Sequence, residues 1–305
     1  MTRLSANARG IILMVAASGA FVINDSFFKL ATEELPVFQA LFLRGVAAAI
    51  WCLPMVLLTR SAHRMRMIFD RWALLRNVFE IIAVFCFLNA LARMPIADIS
   101  AIGQLSPMLL LIGAAVIFRE RLGRAQIVLI LGGFAGALMV AQPQAGSVSP
   151  FMVLGLVAAV AIAGRDIVAR MLPADIPGPV VAYGAVIMVM AASGIATLLF
   201  DSWVSPSFHT LVYLLASGFF LMFGQLFIFL TFRVAPVGVV APFLYSTLLW
   251  ALLLGFVMFG DFPNPLAFAG IGLILVCGVI LVMRSSRPAV AARTPIDIKQ
   301  GSGRA

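Results

Sequence analysis

The sequence predicts an all-α integral membrane protein of ten transmembrane helices, arranged as two inverted five-helix repeats. Three observations carry that expectation. Apolar stretches of about 20 residues, the length that crosses a bilayer core as a helix, recur along most of the chain. Only 11% of the 305 residues are charged and 63% are hydrophobic, with a mean hydropathy of +1.11, far too little charge to cover a soluble surface. The chain also matches itself, without a gap, at a shift of 141 positions.

The ten spans fall at about 10–30, 36–59, 72–92, 96–118, 124–142, 150–171, 179–200, 208–232, 237–259 and 266–283. Helices are the expected form because each satisfies its own backbone hydrogen bonds where no water is available. A cleaved leader over residues 1–20 competes with the first span. The apolar run continues to Leu30, however, and the repeat gives that span a partner. Residues 285–305 are polar, basic and proline-bearing, and are expected to form a disordered cytoplasmic tail.

Arginine sets the expected orientation. Arg3 and Arg9 precede the first span. Arg60, Arg64, Arg66 and Arg71 fill the loop after the second, and Arg119, Arg121 and Arg124 the loop after the fourth. Arg170, Arg233, Arg284 and Arg287 follow spans six, eight and ten, whereas the opposite loops hold little beyond Lys29 and Arg93. Both termini are therefore expected in the cytoplasm of a bacterial inner-membrane, multi-pass protein. The same rule explains the net charge of +9 without nucleic acid as a partner. The expected partners are the lipid bilayer and a small-molecule substrate.

The self-match is carried by residues that are rare here. Asp25 meets Asp166, Lys29 meets Arg170, Pro36 meets Pro177, Pro95 meets Pro236, and Glu120 meets Asp261. The first copy spans residues 1–142 (helices 1–5) and the second 150–284 (helices 6–10). With five helices per copy, the second must insert upside down. Inverted halves suit alternating access, with substrate held between them near the midplane.

No enzyme signature is present. There is no P-loop, HExxH, dinucleotide-binding glycine pattern or serine-nucleophile elbow, and neither His63 nor His209 lies inside a span. An intramembrane enzyme would need a catalytic cluster and is the second class, ahead of a channel, which would need a ring or filter of like groups, and of a structural or receptor role, which leaves the self-match unexplained. Cys52, Cys86 and Cys277 are dispersed in apolar runs, which suits packing, so no disulfide, metal or cofactor is expected.

Each charge placed inside a span costs at least about 2.5 kcal/mol and needs a partner or a task. Asp25 and Lys29, four apart, suit an intrahelical ion pair, which Asp166 and Arg170 would reproduce. Asp25 could instead meet Arg44, whose own alternatives are snorkelling, structural pairing and cavity lining. Glu80 follows Arg76 by four residues, which suits an ion pair, with proton coupling as the alternative. Arg165 and Asp166 are adjacent and point about 100° apart. Glu120 and Asp261, at span ends, suit gating or capping. Asn24, Asn89, Gln104, Gln225 and Tyr245 are candidate substrate contacts, with interhelical hydrogen bonding as the alternative, and Trp250 could stack a planar substrate or simply pack. Pro54, Pro107 and Pro242 free the carbonyls of Ile50, Gly103 and Gly238. Pro107 and Pro242 do not coincide at the 141 shift, so their kinks are expected at different depths. Gly132 and Gly136 form a small-residue face for bundle packing or a homodimer.

The stretch Ala235-Pro-Val-Gly-Val-Val-Ala-Pro-Phe-Leu-Tyr-Ser-Thr through Gly260-Asp261 resembles the EamA branch of the drug/metabolite transporter superfamily. So do Arg93-Met-Pro-Ile-Ala-Asp-Ile-Ser, Leu105-Ser-Pro-Met and Phe118-Arg-Glu-Arg-Leu122. The family's usual Gly-Glu is Gly260-Asp261 here, which keeps the carboxylate. The resemblance implies a ten-helix secondary transporter with a central cavity and no ATPase. Arg9-Gly-Ile-Ile-Leu-Met, Asn24-Asp-Ser-Phe-Phe-Lys29 and Arg44-Gly45 further resemble a branch of bacterial riboflavin and S-adenosylmethionine importers. Riboflavin uptake is therefore the first expectation. S-adenosylmethionine uptake and export of an amino acid or other metabolite are the alternatives.

Overall fold

The computed structural model describes residues 5–59, 61–117, 119, 123–142, 149–173 and 175–285. Glu120 and the expected tail from residue 286 onward lie outside them. In chain order the helices are α1 (Ala6–Ala31), α2 (Val37–Leu58), α3 (Arg71–Leu91), α4 (Ile96–Gly103), α5 (Ser106–Ile117) and α6 (Arg124–Ala141). They continue with α7 (Pro150–Ala169), α8 (Gly178–Phe200), α9 (Phe208–Val234), α10 (Val237–Val240), α11 (Ser246–Phe259) and α12 (Pro265–Ser285). Short 3-10 turns cover Ala62–Phe69 and Ala241–Tyr245. Among the described residues, nine segments are long and apolar enough to cross a membrane, taking Ile96–Ile117 and Ala241–Phe259 as one segment each. The remaining apolar helix, Arg124–Val140, is shorter than the others.

Polar residues start and stop the helices. Ser5 accepts a hydrogen bond from the Ala8 amide (3.2 Å) at the start of α1, and Asp70 accepts one from the Trp72 amide (2.9 Å) at the start of α3. Gly260, at φ +68°, ends α11 in a left-handed conformation that costs glycine nothing.

Two apolar segments are each broken: at the 141 shift their second pieces start within one residue of each other, while the first pieces end four residues apart, Gly103 shifting to 244 against Val240 for α10. The second piece of the fourth span starts at Ser106, and 106 + 141 = 247. Its counterpart α11 starts at Ser246. Pro107 sits in the first turn of α5, where its missing N–H is harmless, so it defines the start of the helix that follows. Pro242 sits at the start of the Ala241–Tyr245 turn, so it shapes the segment that precedes α11. Pro107 thus follows its break, and Pro242 lies within its own.

The packing has an exchanged pattern. Helix α1 packs on α9 and α3 on α7; α1 packs on α11 and α5 on α7. Helix α2 packs on α8 and α6 on α12. Adding 141 to the bounds of α2 gives 178–199, against Gly178–Phe200 for α8; the same shift takes α6 to 265–282, against Pro265–Ser285 for α12. The bundle exterior is apolar, with Leu58, Leu198 and Phe200 among the exposed side chains, as lipid-facing positions require.

The Gly132/Gly136 face is filled from within the chain. A Cβ on Gly136 would lie 2.7 Å from the Gly270 carbonyl oxygen of α12, so this glycine lets two backbones touch. The small-residue face therefore serves the α6–α12 contact and not a partner chain.

Candidate functional site

A cavity of about 560 Å³ lies between α1, α2 and α3 on one side and α7, α8 and α9 on the other. Its lining follows helical periodicity. Leu41, Arg44, Gly45 and Ala48 form the α2 stripe; Phe21, Asn24 and Asp25 the α1 stripe; Ile162, Arg165, Asp166 and Ala169 the α7 stripe. The cavity reaches Ala169 and Gly178, the last residue of α7 and the first of α8. That end of the bundle also holds Arg64, which donates to the Asp175 carbonyl at 2.9 Å.

At the opposite end a strap of hydrogen bonds joins the α1–α2 corner to the α8–α9 linker. Glu34 accepts from the Ser207 amide (2.7 Å), the Ser207 hydroxyl (2.7 Å) and the Thr210 hydroxyl. The Gln39 amide nitrogen of the backbone donates to Asp201 (3.0 Å), while the Gln39 side chain donates to the Val204 carbonyl (2.5 Å) and accepts from its amide (3.0 Å). The hydrogen bonds from Thr210, and then those from Ser207, hold the Glu34 carboxyl below the usual glutamate range.

Six charged side chains line the cavity: Arg44, Arg76 and Arg165, and Asp25, Glu80 and Asp166. Four are mutually paired. Glu80 Oε2 lies 3.3 Å from Arg76 and 3.1 Å from Arg165, and Arg165 Nε is 2.8 Å from Asp166 Oδ1. The Arg76–Glu80 contact has the spacing read from sequence. Asp166, however, pairs with its immediate neighbour: both side chains bend toward the cavity, so the 100° backbone separation does not keep them apart.

The other two charges stand differently. Arg44 is only 6% exposed, its guanidinium stacks over Phe28 at 5.1 Å, and its Nε has no hydrogen-bond partner. Asp25 accepts one hydrogen bond, 2.8 Å from Asn24 Nδ2. Asn24 is itself fixed by Ser217, whose hydroxyl donates to Asn24 Oδ1 at 2.8 Å. No ion pair within 4.0 Å joins Asp25 to Arg44 or to Lys29 among the described residues. Lys29 turns away instead, donating to the Met94 carbonyl (2.6 Å), sitting 3.8 Å from Asp261 and stacking over Phe259. Its long stem reaches the α3–α4 corner, where a free carbonyl and a carboxylate together outcompete one carboxylate on its own helix.

Of the uncharged candidates, Asn24 and Gln225 line the cavity. The others lie outside its lining. Asn89 bonds the Phe85 carbonyl of its own helix (2.8 Å). Gln104 caps α4. Tyr245 is buried against Gly278 on α12 with its hydroxyl unpartnered. Trp250 bonds the Val15 carbonyl (3.1 Å) and joins α11 to α1. Asp261 instead borders a second cavity of about 330 Å³ with Asp98, Gln142 and Asn264. Arg165 and Phe21 line the cavity and Ser217 bonds Asn24 beside it; ranking single polar residues missed all three. The stripe pattern on α1 and α7 was the signal that could have found the first two.

Residues 8–142 match the EamA-like transporter family. Over 286 residues, the pseudopaline exporter of Pseudomonas aeruginosa is 29% identical, covering 91% of this chain and 97% of its own. The riboflavin transporter of Vibrio cholerae is 26% identical, covering 88% and 90%. The S-adenosylmethionine uptake transporter of Rickettsia conorii is 21% identical, covering 92% of each. A crystal structure at 21% identity superposes with a TM-score of 0.62 over 92% of this chain and 99% of that one, a likeness of fold. These relatives are transporters and not enzymes. The chain is a multi-pass helical membrane protein whose residues 8–142 are similar to the EamA-like transporter family.

Proposed function

We propose that this chain is a secondary transporter that moves a small charged metabolite across the bacterial inner membrane by alternating access. One observation carries the reading: a cavity lined by six charges extends to the Ala169–Gly178 end of the bundle, while hydrogen bonds of Glu34 and Gln39 join the α1–α2 corner to the α8–α9 linker at the other. The arrangement has ten spans in two inverted copies, 1–142 and 150–284. The exchanged packing of α1 on α9 and α3 on α7 supports it, because it is the pattern two interdigitating copies produce. Both termini are cytoplasmic, since the arginine-rich loops share the Arg64 end. The Ala169–Gly178 end of the cavity is then the cytoplasmic one. A charge-lined cavity stabilises a solute whose charges complement it and repays the cost of keeping ionised groups at membrane depth.

Riboflavin uptake is the second reading, favoured by the riboflavin transporter of Vibrio cholerae among the relatives. Trp250, the residue expected to stack, bonds the Val15 carbonyl and joins α11 to α1, and Tyr245 packs against Gly278 on α12; both lie outside the cavity lining, which moves the weight to a charged solute.

Membrane vesicles with and without the chain, incubated in a bacterial metabolite extract and analysed by mass spectrometry, test the first reading. Saturable, chain-dependent accumulation of charged solutes is expected; contents identical to vesicles lacking the chain would overturn it. Growth of a riboflavin auxotroph on micromolar riboflavin tests the second.

A further inference from the structure

The charges of the cavity divide into a spent set and a spare pair. Arg76, Glu80, Arg165 and Asp166 satisfy one another at 2.8–3.3 Å. Their charges sum to zero, so they offer a solute little net attraction. Arg44 and Asp25 are what remain, and their charges are also opposite. Arg44 is more than nine-tenths buried, makes no hydrogen bond or ion pair with a described residue, and has a wholly buried Nε without a partner. Its buried Nε has no partner to replace water, and the guanidinium gains the face of Phe28 and the fields of Asp25 and Glu80 without a direct pair. Asp25 lines the same cavity, with one oxygen taken by Asn24.

We infer that Arg44 and Asp25 are the substrate-binding charges, and that the substrate is a zwitterion carrying anionic oxygens for Arg44 and a protonated amine for Asp25. This deepens the transport reading above and rests on it. The planar guanidinium suits a carboxylate or a phosphate, whose paired oxygens match its parallel N–H groups. Asp25 Oδ2 suits an ammonium because an ionised carboxylate offers only acceptors. The chain Ser217–Asn24–Asp25 is the positioning element: Ser217 orients the Asn24 amide, which turns its nitrogen onto Asp25 Oδ1 and leaves Oδ2 for the ligand. The surrounding Phe21, Leu41 and Leu88 are apolar, so the charges meet with little competing water.

The test uses liposomes holding the full chain, placed in a bacterial metabolite extract, with lumen contents identified by mass spectrometry. Solutes bearing both an amine and a carboxylate or phosphate are expected to accumulate, and the identified compounds tell the two anions apart. Arg44→Gln and Asp25→Asn are each expected to lower that accumulation about tenfold or more, the scale of one lost charge-assisted hydrogen bond. Arg44→Lys should fall between, since the charge stays and the fork is lost. Tyr245→Phe, outside the cavity, should match the parent chain. Chain-dependent accumulation only of solutes lacking the amine–anion pair would overturn this inference and leave the transport reading standing. No chain-dependent accumulation at all would overturn both. If the Arg44 and Asp25 variants fail to fold, competition on the parent chain decides. An accumulated solute should be displaced by excess unlabelled solute but not by its esterified or N-acetylated form; equal displacement by all three would overturn the inference.

Discussion

Glu80 on α3 accepts from Arg165 on α7 at 3.1 Å, a contact between residues 85 positions apart that ties the two halves of the chain together beside the cavity. Glu80 also holds Arg76, and Arg165 also holds Asp166, so one carboxylate anchors the whole cluster. Removing one partner of such a buried cluster is expensive because it strands the others. Glu80→Gln is expected to destabilise the detergent-solubilised protein by about 3 kcal/mol. The double variant Glu80→Gln/Arg165→Gln should lose less than the sum of the singles. Thermal unfolding of the four proteins measures it, and strict additivity would refute the coupling.

The Glu34 strap predicts a pH dependence at the end of the bundle opposite Arg64. Hydrogen bonds from Thr210 and Ser207 favour the ionised carboxylate and depress its pKa in the folded protein. Stability from this group is then fully present above the unfolded value, near 4.3, and is lost as the pH falls through the depressed folded value. Exchange of the Ser207 and Thr210 amides should therefore accelerate only below about pH 4. Glu34→Gln should show the faster exchange at neutral pH and lose the dependence. Protection unchanged in that variant would show that the strap holds without the charge.

Gly136→Ala sets two effects against each other. Alanine improves intrinsic helix stability by up to about 1 kcal/mol. Its Cβ would meet the Gly270 carbonyl oxygen at 2.7 Å, and neither backbone has room to retreat. Overpacking of this kind costs about 1–3 kcal/mol, so the net is expected to be destabilising. A lower unfolding midpoint for Gly136→Ala than for Gly272→Ala, where nothing lies within 4 Å of the added carbon, is the check.

Trp250→Phe keeps an aromatic ring and removes one hydrogen bond to the Val15 carbonyl. The expected cost is about 1 kcal/mol of stability with transport retained. Loss of transport at unchanged stability would return this residue to the substrate site.

The chain by itself determined the membrane setting and the bounds of its apolar segments to within a few residues, but not the breaks that split Ile96–Ile117 and Val237–Phe259. The setting and the bounds follow from composition, a signal that needs no partner to be read. The Arg76–Glu80 contact was legible for the same reason, since residues four apart on a helix are always neighbours. Only the tertiary structure decided which charges remain spare. Lys29 had a partner on its own helix in Asp25 and took the Met94 carbonyl and Asp261 instead. Arg165 joined Glu80, 85 positions away. Each arginine and lysine carries several rotatable bonds and a reach of more than one helical turn, so its partner is chosen by whichever helix packs alongside. That choice depends on contacts between helices distant in sequence, and it is what leaves Arg44 buried at the cavity with no ion pair or hydrogen bond among the described residues.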